Sequence, residues 1–168
     1  MAELLTHVLA VYVLLTVASW WLDGLTARWI PVGMAGAIIP DLVKIGLVVD
    51  AEVIEGLLGV PFSYGPISSV AGVLVIAAGI TLAFTEARRR VFALLVAGGL
   101  SSLALDGLRM FADGQSSFWL YPLWWRPPTP SLFVSADPRV LVVTAAAGAV
   151  VFAIDRYVIG GSPESSSP

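Results

Sequence analysis

Apolar runs of about the length that crosses a bilayer recur along this sequence, and they leave the chain few folds to choose from. Hydrocarbon offers no partner to a backbone N–H or C=O, so a segment that enters it must satisfy those groups internally, as a helix does. The runs cover residues 4–22, 29–49, 67–87, 91–111 and 140–159. Only 12% of the 168 residues are charged and 58% are hydrophobic, with mean hydropathy +0.90; an average globular domain carries about 25% charged residues. The expectation is an all-α polytopic transmembrane helical bundle of about five spans, forming one domain over residues 1–159. The Gly/Ser/Pro-rich tail, residues 160–168, is expected to be disordered.

Within the runs, local chemistry sets breaks and ends. Residues 4–22 lack the basic start and small-residue cleavage site of a signal peptide, and they end in Trp20-Trp21, so they read as a retained first span. Pro40 removes a backbone donor inside the second run, which predicts a kink or break near Ile38. Residues 50–64 interleave Asp50, Glu52 and Glu55 with Val53, Ile54, Leu57 and Leu58, the pattern of a short amphipathic helix lying on the membrane surface. Residues 112–138 hold Trp119, Tyr121, Trp124, Trp125 and several prolines, and read as an interfacial aromatic loop.

Arg88, Arg89 and Arg90 form the one dense positive cluster and belong in the cytoplasm by the positive-inside rule. Alternation then puts the N-terminus, residues 50–64 and the aromatic loop outside a cell membrane, and the 23–28 loop and the C-terminal tail inside. His7, Ser68 and Asp106 fall near the outer ends of their spans, and Asp41 about 12 Å down at 1.5 Å per residue. The polar groups of four spans thus collect in the outer half of the bundle.

A carboxylate in hydrocarbon is costly, so an intramembrane Asp turns toward the protein interior, is paired, and is a candidate functional residue. Ser102, Asp106 and Arg109 stand at i, i+4 and i+7 and share one helical face. Asp41 has Lys44, the single lysine, at i+3, and Asp106 has Arg109 at i+3, so each carboxylate has a local ion pair open to it. The alternative role for Asp41 and Asp106 is catalytic, as metal ligands or a general base. Ser68 and Ser102 are commoner as interhelical hydrogen-bonding residues than as nucleophiles, and no Gly-x-Ser-x-Gly elbow is present.

Several classes are excluded. With no cysteine there is neither a disulfide framework nor a thiolate metal site, and His7 is the single histidine. A net charge of −3 and a pI near 4.9 leave no basic footprint for nucleic acid; arginine in place of lysine and the acidic pI would suit a salt-loving archaeon.

The order of these pieces resembles the YdjM-type membrane-bound metal-dependent hydrolase family of bacteria and archaea. Thr6-His7-Val8-Leu9 is similar to its N-terminal His motif and Ile38-Ile39-Pro40-Asp41 to its Pro-Asp motif. Gly65-Pro66-Ile67-Ser68-Ser69 falls where the family has Gly-x-Thr-His-Ser, and residues 98–108 where it has Gly-x-x-Ser-His-x-x-x-Asp. Leu120-Tyr121-Pro122-Leu123 resembles the Leu-x-Pro that follows. The resemblance implies a divalent metal, zinc or manganese, held by His7, Asp41 and Asp106, with Asp41 and Asp106 also catalytic.

Departures point to a degenerate member: Ser68 and Ser102 stand where the motifs have His, and Val43 where a second Asp is common. Two functions follow, with membrane lipid as the expected partner of either. One is a non-catalytic membrane protein whose polar cluster holds helices together or binds a lipid headgroup. The other is an active metal-dependent hydrolase of a lipid or lipid-linked ester or phosphoester, in which a metal-activated water attacks. A proton or ion pathway is a third reading. His7, Asp41 and Asp106 are expected to approach one another.

Overall fold

The computed structural model describes residues 2–111, 114–134 and 137–159; the expected disordered tail lies outside them. Among the described residues the fold is all helical, with no strand and two isolated bridges. Six α-helices follow in order: α1 (Ala2–Ser19), α2 (Ile30–Ile38), α3 (Ala51–Leu58), α4 (Val70–Leu82), α5 (Arg88–Gly107) and α6 (Pro138–Ile154).

Three helical stretches are long and apolar enough to cross a membrane: Ala27–Leu47, Arg88–Gly107 and Pro138–Ile159. The runs at 4–22 and 67–87 form shorter apolar helices, Leu4–Ser19 and Val70–Leu82. The second of these is about 20 Å long at 1.5 Å per residue, against a hydrocarbon thickness near 30 Å. Its shortening has local causes at both ends. Gly65 and Pro66 start a tight 3₁₀ turn, Gly65–Ser68, and Ser69 then caps α4 by accepting from Gly72 N at 3.2 Å. The first two N–H groups of α4, at Val70 and Ala71, donate to the carbonyls of Trp119 and Tyr121. At the far end the helix stops at Leu82, and Ala87 turns the chain into α5 with φ of 51°.

The expected break near Ile38 is where α2 gives way to a 3₁₀ segment, Ile39–Leu47, with Pro40 in its first turn. The expected surface helix is α3, closed by Gly59 in the left-handed region at φ 69°. Val53, Leu57 and Leu58 are exposed on it, and Leu47, Val48 and Val60 are exposed beside it. Together they form an apolar facet suited to the membrane interface.

Backbones rather than large side chains make the central contact, between α2 and α5. A Cβ added at Gly98 would lie 1.9 Å from the Gly33 carbonyl oxygen, and one at Gly36 would lie 2.2 Å from that of Leu95. Small residues are what permit helices to approach this closely where lipid supplies no hydrophobic drive. Ile39, Val73, Ala77, Val91, Leu95 and Leu103 form the core around that contact. α1 packs against α2, α5 and α6, while most of α6 stays exposed.

The aromatic loop caps the ends of two helices. Thr129 Oγ1 donates to the carbonyls of Gly107 and Arg109, and Leu132 N donates to Leu108 O, so the loop takes up carbonyls that the end of α5 leaves free. Ser116 is fully buried, donating to Pro127 O and accepting from the Trp119 indole at 3.0 Å. Trp119 lies so close over Gly107 that a Cβ there would meet its ring at 2.6 Å. Leu123, Trp124 and Trp125 of the loop remain exposed.

Candidate functional site

The start of α1 and the end of α5 lie side by side, and their polar residues form one connected set. His7, in the second turn of α1, is 4% exposed, and Ser102 of α5 is fully buried. Ser102 Oγ lies 2.9 Å from His7 Nδ1, and His7 Nε2 lies 3.4 Å from Asp106 Oδ1. Arg109 Nη1 donates to that same carboxylate oxygen at 2.8 Å.

Helical spacing explains the order. Ser102 and Asp106 are one turn apart on α5, so they flank an imidazole that arrives between them from α1. With a proton on Nε2 the ring presents N–H to Asp106, and Nδ1 then lies within hydrogen-bond distance of the Ser102 hydroxyl. Asp106 and Arg109 cancel in charge within this partly buried set. Leaving any one partner out would strand a desolvated polar group, which costs about 1–3 kcal/mol for a neutral group and more for a charge.

Of the residues singled out in the sequence, His7, Ser102 and Asp106 are thus brought together. Asp41 is held elsewhere, its Oδ1 2.7 Å from Lys44 Nζ. The 3₁₀ geometry of Ile39–Leu47 favours this pair, because three residues per turn stack i directly over i+3. Asp41 Oδ2 is buried without a hydrogen-bond partner. Ser68 ends the turn before α4 and is half-buried; the buried hydroxyl there is Ser69, which caps α4 and donates to Pro66 O at 2.6 Å.

A divalent metal fits this donor set poorly. The 3.4 Å between His7 Nε2 and Asp106 Oδ1 matches two ligands of a tetrahedral ion, which stand about 3–4 Å apart. A third protein ligand is needed, and among the described residues no group of three or more His, Cys, Asp or Glu side chains could hold a metal ion. The carboxylate oxygen that faces His7 already carries the Arg109 guanidinium.

A small cavity of about 70 Å³ opens beside the set, between α1, α5 and α6 under the aromatic loop. Thr6, His7, Arg109, Phe133, Asp137 and Thr144 line it. Asp137 and Thr144 were not singled out in the sequence: Asp137 serves as the N-cap of α6, accepting from Arg139 N at 2.9 Å, and Thr144 donates to Val140 O one turn back. The aspartate–proline step at 137–138 is a helix-start signal, which is how Asp137 could have been found.

The opposite end of the bundle is built differently. Trp20 Nε1 donates to Asp155 Oδ1 at 3.2 Å, and the guanidinium carbons of Arg28 and Arg90 lie 5.5 and 5.1 Å from the Trp29 ring centroid. The 23–28 loop, the three-arginine cluster and the end of α6 therefore share one end, away from His7 and Asp106. No family model, curated protein or solved structure matches this chain.

Proposed function

We propose that this is an integral membrane protein of the YdjM-type lineage whose inherited metal site has become a helix lock. It is a non-catalytic, five-pass bundle with its N-terminus outside the cell membrane and the arginine cluster in the cytoplasm. One observation carries the reading: Arg109 sits on the Asp106 oxygen that faces His7, so a guanidinium supplies the positive charge that a metal would supply. Ser102 in place of a ligating imidazole occupies the other nitrogen of His7 and fastens α1 to α5 through a hydroxyl.

The convergence of His7, Ser102 and Asp106 from two separate motifs supports the family likeness, since motifs that share no site would have no reason to meet. The common end shared by the 23–28 loop, the arginine cluster and Asp155 agrees with alternation of five passes. In this reading α1 and α4 span despite their length, by local thinning of the bilayer. The hydrolase alternative keeps one feature in its favour, the orphaned Asp41 Oδ2.

Metal content measured on protein purified in neutral detergent tests the proposal. The expected result is well under one zinc or manganese per chain, unchanged by Asp106→Asn. One metal per chain that disappears in Asp106→Asn, together with hydrolysis of a phospholipid or lipid-linked phosphoester, would establish the hydrolase instead.

A further inference from the structure

The arginine end carries two grooves that meet at one residue. The first, about 510 Å³, is lined by Arg28, Trp29, Glu86 and Arg90 with Val32 and Val91 behind them. The second, about 590 Å³, runs between α1 and α5, where Leu15, Leu22, Ala93 and Ala97 make an apolar trough with Asp23 at its mouth. Arg90 borders both.

The geometry points to a binding site for one anionic phospholipid, its phosphate in the first groove and an acyl chain along the second. Two guanidiniums face a single carboxylate, Glu86, in the headgroup groove, and guanidinium is the group best matched to phosphate oxygens. Both arginines are exposed and rest on the faces of Trp29, so they can turn to a phosphate without leaving a buried partner. The indole N–H of Trp29 is buried with no acceptor, a further donor beside the groove. Ala93 and Ala97 are exposed small residues one turn apart on α5, and they leave the trough open beside Leu15 and Leu22. A free phosphate would use the first groove alone; the adjoining apolar trough is what selects an amphiphile. The cytoplasmic leaflet is where anionic lipid concentrates and where basic pockets between helices take headgroups.

This site rests on the membrane-spanning reading, and the test separates the two. The full-length protein is first floated with phosphatidylcholine vesicles; failure to float defeats the membrane reading itself. Its thermal unfolding in neutral detergent is then followed with phosphatidylglycerol, phosphatidylcholine or inorganic phosphate added. Phosphatidylglycerol is expected to raise Tm by about 4 °C more than phosphatidylcholine does, with no shift from inorganic phosphate. The double variant R28Q/R90Q should lose that difference while keeping its Tm in phosphatidylcholine. Ala97→Phe, which fills the trough and touches neither arginine, should lose it too. Equal shifts from the two lipids, a shift reproduced by inorganic phosphate, or an undiminished difference in either variant would overturn the site while leaving the membrane reading in place.

Discussion

The two ends of this bundle handle charge in opposite ways. At one end His7 and Ser102 are buried, Asp106 and Arg109 are partly buried beside them, and the four close on each other across α1 and α5. At the other, Arg28 and Arg90 lie exposed on an indole and border open grooves. A buried set must be complete, because every missing partner leaves a desolvated group behind; an exposed set can be incomplete, because water or a ligand finishes it. The first arrangement holds helices together, and the second is free to bind.

Substitution should expose that difference most sharply at Asp106. Asp106→Ala leaves Arg109 and His7 without their shared acceptor in a partly buried site, and the expected cost, about 2 kcal/mol, lies between that of a buried pair and that of a surface one. Unfolding by sodium dodecyl sulfate in mixed micelles would measure it; a loss below about 1 kcal/mol would place the pair among weak surface bridges. Ser102→Ala comes next, at about 1–3 kcal/mol, since it takes the hydroxyl partner from His7 Nδ1 on a buried ring. At the other end Arg90→Gln should stay within about 0.5 kcal/mol by the same measurement, as surface changes away from packed features do. A larger loss there would mean that the arginine end is also a lock, and the contrast between the ends would fail.

The sequence made one kind of information plain and hid another. Apolar runs, the break before Pro40, the helical face of Ser102, Asp106 and Arg109, and both i, i+3 ion pairs were legible, because each depends on spacing along one element. The length of α4 was not. Hydropathy continues through residues 67–87, but the helix begins only where Ser69 and the carbonyls of Trp119 and Tyr121 meet its first N–H groups, and those carbonyls come from some fifty residues away. Backbone capping by a distant loop leaves no trace in composition. Asp41 illustrates the same limit: its motif suggested a shared site with His7 and Asp106, whereas the 3₁₀ winding of Ile39–Leu47 stacks it on Lys44.

The central claim is that His7 and Asp106 are coupled directly as a structural lock, with no metal between them. A double-mutant cycle on His7→Ala and Asp106→Ala, read by unfolding in mixed micelles with excess chelator, tests this most directly. Direct contact predicts a coupling energy of about 1–2 kcal/mol that the chelator does not change. Additivity within about 0.5 kcal/mol, or a coupling that appears only when zinc is supplied, would contradict it.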